Sequence, residues 1–191
     1  MNQPLILENF ERHIQLTTEE QQHVLSLLTP RKLKKRSFLI QEGEVSKHTA
    51  FVTSGVLRGY TIDENGFEHI LQFAPPGWWI ADMYSLVAQQ PGQLYIDALE
   101  DSTVLLLSKN DQEQLYVDIP KFERFFRILT ENSLVAIRQR LINGLSLTAK
   151  QRYELFCKQY PSMINCLPQK QIAAYIGVTP EFLSKLLNEK Q

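Results

Sequence analysis

Residues 169–188, QKQIAAYIGVTPEFLSKLLN, read as two short helices joined by a sharp turn. Apolar Ile172, Ala173, Ile176, Val178, Leu183 and Leu186 fall where two crossed helices bury their inner faces. Ala173 has to be small because the second helix crosses close above it, and Gly177 sits in the turn, where positive φ carries no steric cost. Thr179 is placed to cap the second helix with its hydroxyl. Pro180 takes the first helical position, where no amide donor is missed, and Glu181 sets a negative charge against the positive helix end. Three start signals at one point predict a second helix that begins near residue 180. Such a helix-turn-helix presents its second helix to the major groove of DNA, whereas an ordinary helical hairpin inside a core is the blander arrangement the pattern also allows.

The chain has 191 residues, 43% of them hydrophobic, which suits one large domain or two small ones with a sizeable core. No run of about 18 apolar residues and no charged-then-apolar leader appears, so neither a membrane span nor a secretory signal is expected and the expected location is the cytoplasm. Cys157 and Cys166 are the only cysteines, nine positions apart, too few for a disulfide framework or a four-cysteine metal centre, and they read as free thiols. The net charge of -1 hides an asymmetry: from Arg138 to the end there are 8 Lys and Arg against 3 Asp and Glu. The helix-turn-helix end is therefore the basic end. That is the electrostatic footprint of a part that faces phosphates, and also what a merely solvated surface would carry.

Near the start, Thr17 and Glu20 form a T-x-x-E capping box ahead of Val24, Leu25, Leu27 and Leu28, with Pro30 as a stop, which predicts a short amphipathic helix. From Ser37 to Ser108 the texture changes to short β-rich runs: FLIQEGE, AFVTSGVLRGYTI, a DENG turn at 63–66, FEHILQFAPPG and LYIDALEDSTVLLLS. Closely spaced short strands punctuated by Gly43, Gly55, Gly66 and Gly77 predict an antiparallel roll. From Ile119 to about Leu145 the period becomes helical, with Phe122, Phe126, Leu129, Ser133, Ala136 and Arg140 on one stripe and Phe125, Leu134, Ile137 and Leu141 beside it. An arc this wide needs cover on two sides: the roll on one, and on the other a second helix, most simply its symmetry mate in a homodimer. Gly144 marks a hinge or cap, and Thr148 with Gln151 opens another helix through Tyr160. The expected organisation is α+β: an antiparallel β-roll over 1–118, a long helix and hinge over 119–145, and a helical helix-turn-helix domain over 146–191.

This succession resembles the Crp/Fnr family of bacterial transcription regulators. The FLIQEGE turn, the SGVLRGYTIDENGFEHILQFAPPGWW hairpin region, the ALEDSTVLLLSK strands and the C-terminal helix-turn-helix carry the likeness over almost the whole chain. The resemblance implies a cyclic-nucleotide-binding-like roll of the double-stranded β-helix kind, a homodimer, and binding to double-stranded DNA at a two-fold-symmetric operator. It also implies that an effector in the roll acts by favouring one placement of the recognition helices over another. Family members that bind cyclic AMP hold its ribose with a glycine and a glutamate. Their arginine, ten residues after that glutamate, and the hydroxyl residue next to it bind the cyclic phosphate. Here Ala81 stands for the glycine, Asp82 for the glutamate, Gly92 for the arginine and Gln93 for the hydroxyl residue. Without a guanidinium there is no bidentate contact to a phosphate, so cyclic AMP is not expected as the ligand.

Ala81, Asp82, Tyr84, Gln93 and Tyr95, with Trp78 and Trp79 nearby, are candidates to line a pocket for an unknown small-molecule effector; a filled roll is the alternative. No cofactor and no metal are expected. The first 150 residues contain no cysteine for the family's iron–sulfur cluster, and His13, His23, His48 and His69 are single histidines with nothing that marks a haem ligand.

On the second helix, Phe182, Leu183, Leu186 and Leu187 are expected to point inward, which leaves Thr179, Pro180, Glu181, Ser184, Lys185 and Asn188 for the groove. Glu181 can accept from cytosine N4 and Lys185 can donate to guanine. Pro180 stands where better-known members carry a guanine-reading arginine, and it offers only apolar contact. Gln169, Lys170 and Thr179 look like phosphate anchors. Three residues follow Asn188, too few for the β-wing that usually comes next, which predicts a truncated wing and a shallower salt dependence.

Catalysis is not expected. There is no H-x-H metal pair of the cupin kind, no G-x-S-x-G and no phosphate-cradling glycine loop. The competing reading is a small-molecule sensor whose C-terminal helices bind a protein partner. Activation of transcription would add RNA polymerase as a partner, through a surface that no pattern in a single sequence marks.

Overall fold

The computed structural model describes residues 4–164 and 167–188. Cys166 lies outside them. By contact the chain divides into two compact units, Met1–Thr61 with Gln72–Thr130, and Ile62–Leu71 with Glu131–Gln191. The division falls inside one long helix, and the tip of a β-hairpin groups with the C-terminal part. Neither feature is visible in the linear pattern, which puts a hinge near Leu141–Leu147.

The first unit opens with α1 (Leu5–Glu11) and α2 (Thr18–Leu27). The capping box forms as expected: Thr17 Oγ1 accepts from Glu20 N at 3.3 Å and Glu20 Oε2 accepts from Thr17 N at 2.8 Å. The strands are β1 (Thr29–Leu33), β2 (Phe38–Ile40), β3 (His48–Ser54), β4 (Leu57–Ile62), β5 (Glu68–Ala74), β6 (Trp79–Ile80), β7 (Tyr95–Ala98) and β8 (Ser102–Ser108). They make two four-stranded sheets, ordered β1-β8-β3-β6 and β2-β7-β4-β5. The pairings β1–β8, β3–β8, β2–β7 and β4–β7 are antiparallel, so the expected roll is present. A core of Leu33, Ile40, Val52, Leu57, Ile80, Ile96 and Val104 fills the space between the sheets. The four glycines picked out as turns all have positive φ. At Gly55 this is doubly required, because a Cβ would lie 2.2 Å from Ser102 Oγ and 2.7 Å from the Asp101 carbonyl.

Three elements of this unit depart from the expected plan. β1 begins directly after Leu28, with Pro30 inside it rather than in a loop, while α3 (Met83–Ala88) and α4 (Lys109–Asp118) interrupt stretches read as strand or connection. α4 fully buries only Leu115, so no apolar stripe announces it.

The long helix α5 (Lys121–Ser146) continues through Gly144 to its last turn. Its first two turns complete a second, aromatic core with α1. Phe10 meets Phe122 and Phe125 edge to face at centroid distances of 5.0 and 4.9 Å, and Trp79 packs on Phe51, Phe125 and Phe126. Such contacts add to the area they bury.

In the second unit, α6 (Ala149–Gln159) opens on the expected capping box. Thr148 Oγ1 accepts from Gln151 N at 3.3 Å, and Gln151 Oε1 from Thr148 N at 3.0 Å. α7 (Gln169–Ile176) and α8 (Pro180–Asn188) follow. Phe156, Tyr160, Met163, Ile172, Ala173, Ile176 and Leu183 are the buried apolar residues of this three-helix part. No helix among the described residues is long and apolar enough to cross a membrane.

Candidate nucleic-acid interface

Local chemistry fixes the angle between α7 and α8. Gly177 ends α7 at φ +73°, and the N–H of Val178 donates to the Ala173 carbonyl at 3.0 Å, which turns the chain sharply. Ala173 is fully buried at the crossing, as its size requires. The Thr179 hydroxyl then accepts from Phe182 N at 3.2 Å, and Leu183 anchors α8 from below.

On the other side the two helices form a shallow concavity lined by Gln169, Pro180, Glu181, Ser184, Lys185 and Asn188. Six of the eight residues expected to meet DNA thus share one surface. Lys170 and Thr179 are exposed but do not line it. Phe182 is a correction, since it is 51% exposed rather than inward. The enclosed face of α8 is narrow and centred on Leu183, with Leu186 and Leu187 half-buried beside it. Phe182 lies a quarter of a helical turn from that centre.

The roll gathers only part of its expected pocket. Ala81 and Asp82 border a cavity of about 130 Å³ with Arg31, Glu44, Lys47 and His48 at its polar edge. Tyr84 and Gln93 are exposed outside it. Tyr95 is stacked on Tyr60 at 5.4 Å and donates its hydroxyl to Glu42 at 3.0 Å. Trp79 belongs to the aromatic core, with Nε1–H donating to Asn9 Oδ1 at 3.0 Å. His48 has its pKa lowered by burial, and the nearby Arg31 cation adds to the effect.

Asp82 is 2% exposed and caps α3. Its carboxylate accepts from Ser85 N at 3.0 Å and Leu94 N at 3.3 Å. Gly92 packs against it so closely that a Cβ there would lie 2.1 Å from Asp82 Oδ2. Both amides are occupied by the protein's own carboxylate.

Comparison with known proteins agrees with this architecture. Residues 30–118 match the cyclic nucleotide-binding domain. Electron transport regulator A of Shewanella oneidensis is 24% identical over 170 residues, covering 83% of this chain and 67% of its own length. The chain is similar to regulators of the Crp/Fnr kind. The fold also matches two solved structures. One is the c-di-GMP-responsive global regulator CLP of Xanthomonas campestris, at a TM-score of 0.75 and 13% identity over 92% of both chains. The other is FixK2 of Bradyrhizobium japonicum, at a TM-score of 0.73 and 20% identity over 85% of this chain and 83% of that one. The chain spans about two thirds of the length of the curated relatives it matches. Those relatives are regulators.

Within this roll, sequence reading missed two polar centres. Ser85 is fully buried and joins three segments, its hydroxyl accepting from Ser46 N at 2.8 Å and donating to the Gln90 carbonyl at 2.7 Å. Arg58 and Asp97 form a buried bidentate pair at 2.8 and 3.0 Å, with the guanidinium 4.1 Å from the Tyr60 ring centroid. Ser85 carries no sequence signal. The ion pair has one, since a charged residue at an inward position of a strand must find its partner across the sheet.

Proposed function

We propose that this chain is a DNA-binding transcription regulator that acts as a two-fold dimer and does not respond to cyclic AMP. The observation that carries the reading is the shared surface of Gln169, Pro180, Glu181, Ser184, Lys185 and Asn188 on the outer side of α7 and α8. Glu181 and Lys185 supply an acceptor and a donor for base edges. Lys170, Thr179 and the amino end of α7 supply phosphate contacts.

Dimerisation is supported by the second half of α5. Leu134, Ile137, Leu141 and Leu145 are exposed at spacings that form one stripe, with Val135 and Ile142 alongside, and Leu145 is 82% exposed. A stripe of this kind calls for a second copy of the helix, which places the two recognition helices about 34 Å apart, one turn of DNA. The roll argues against cyclic AMP on two grounds. Gly92 offers no guanidinium, and a cavity of about 130 Å³ falls well below the roughly 300 Å³ at which small-molecule sites begin.

The test is selection of bound duplexes from a random pool, followed by titration with salt, alongside sedimentation of the free protein. A dimer that selects a palindromic site and weakens steeply as salt rises is the expected result. A monomer indifferent to duplex DNA at low ionic strength would overturn the reading, as would C-terminal binding to a protein with no salt dependence. Calorimetry tests the ligand, and micromolar or tighter cyclic AMP binding would refute that part.

A further inference from the structure

Arg140 falls on the apolar stripe of α5, a position where a cation has no use unless it finds partners. Its guanidinium finds three backbone carbonyls on two segments far apart in sequence. Nη1 donates to the Leu71 carbonyl, and Nη2 donates to the Ile70 carbonyl at 2.6 Å and to the Tyr175 carbonyl at 2.7 Å. Its Cζ stands 4.0 Å from the centroid of the Tyr175 ring. Ile70 and Leu71 belong to β5 and Tyr175 to α7, and all four residues lie within the second unit. Burial lowers the pKa of Arg140, with Tyr175 and Tyr160 opposing that shift. No carboxylate pairs with it among the described residues.

This is a site for a planar fork rather than for a positive charge. Two hydrogens on Nη2 reach two different segments, a third on Nη1 reaches the next carbonyl of the strand, and the flat face covers an aromatic ring. A lysine ammonium has neither the reach in two directions nor the plane.

We propose that Arg140 is a positioning residue for DNA recognition, tying α7, and through its Gly177 turn the reading helix α8, to the hairpin strand β5. Occupancy of the α8 surface is then felt at residues 68–71, which are not part of that surface. The proposal rests on the DNA-binding reading above for its bound-state arm only; its free-state arm stands without it.

The experiment uses the full chain as wild type, Arg140→Gln and Arg140→Lys, with hydrogen exchange followed by mass spectrometry and with a duplex selected by the wild type as the DNA probe. In the free protein, both variants should exchange the amides of 68–71 and of 171–177 about tenfold faster together, as expected for losing a charged hydrogen-bond network, while β3 and β8 stay unchanged. On adding the duplex, wild type should gain protection at 68–71 and the variants should not. The variants should also bind about tenfold more weakly with an unchanged salt slope, since the phosphate contacts remain. Faster exchange in only one of the two segments, or an Arg140→Lys variant that behaves as wild type, would overturn the proposal. Loss of helical signal together with a collapsed salt slope would also reject it, because the residue would then be maintaining the domain rather than aiming it. If wild type bound no duplex at all, the DNA-binding reading would fail while the free-state comparison still decided the tie.

Discussion

Gly92 and Asp82 occupy one another's space: the aspartate carboxylate sits where a side chain on residue 92 would begin, 2.1 Å from the position of a Cβ. The glycine is needed for closeness rather than for its backbone angle. The two residues should therefore be strongly coupled. Asp82→Ala removes the cap of α3 and leaves the buried Ser85 amide and the half-buried Leu94 amide without this acceptor, a loss of about 1–3 kcal/mol. Gly92→Ala forces the carboxylate aside and should cost about 1–2 kcal/mol. Once Asp82→Ala has removed the carboxylate, the clash at residue 92 disappears, so the double variant should be about 1 kcal/mol more stable than the sum predicts. Urea unfolding of the four proteins checks it, and simple additivity would reject the coupling.

The same pair explains why restoring an arginine will not by itself restore a cyclic-phosphate site. Gly92→Arg must displace Asp82 before its guanidinium can face any ligand. Calorimetry with cyclic AMP should show no binding to this single variant, and appreciable affinity would show that the carboxylate yields easily.

Phe10 is fully buried between Phe122 and Phe125, and with Ile6 and Leu7 it holds α1 in the aromatic core. Phe10→Ala should cost about 3–5 kcal/mol by lost transfer energy and the cavity left behind. Denaturant unfolding measures this directly. A cost under about 1 kcal/mol would mean that the aromatic cluster repacks around the gap.

Features written within a few residues of one another are legible in the chain. Both capping boxes form, Thr17 with Glu20 and Thr148 with Gln151, because each needs only a hydroxyl and a longer side chain three residues on. Gly177 and the Thr179 cap are legible for the same reason, and they position six of the eight residues expected to face DNA. What escapes depends on distant partners. α3 is six residues long and is held by Asp82 and by the Ser85 link to Ser46, 39 residues away. Arg140 reads as an oddity on an apolar stripe until Ile70 and Tyr175 are brought to it. Phe182 reads as inward because counting apolar residues on a short helix overstates the width of its buried face; only Leu183 is enclosed there.

At the hairpin tip, Asp63 organises the DENG turn by accepting from Asn65 N at 2.9 Å, Phe67 N at 3.0 Å and His69 Nε2 at 2.8 Å. The His69 hydrogen bond, then that of Phe67, holds the carboxyl below its usual pKa. A lowered carboxylate pKa means that the contribution is complete above the ordinary value of about 3.9 and is lost as pH falls through the lowered one. The turn should therefore stay ordered at neutral pH and loosen only in acid, visible in the amide signals of Asn65 and Phe67. His69→Ala should move the Asp63 titration up toward the ordinary value. An unmoved titration would show that the backbone amides alone set it.

Glu181 on α8 and Lys170 on α7 test whether the proposed DNA binding houses specificity and affinity separately. Glu181 lines the concave face and carries an acceptor that suits cytosine N4, so its loss should be felt at one base step of each half-site. Lys170 is exposed at the start of α7, outside that face, where a cation can meet a phosphate but reaches no base edge. Glu181→Ala should flatten the preference at that step by about 1 kcal/mol and leave other positions alone. Lys170→Ala should weaken every duplex alike and lower the salt slope by about one phosphate contact per protomer. Mobility-shift titrations on a set of single-base operator variants at two salt concentrations separate the two effects. A uniform loss from both substitutions would show that α8 binds without reading, which would leave specificity to the deformability of the duplex.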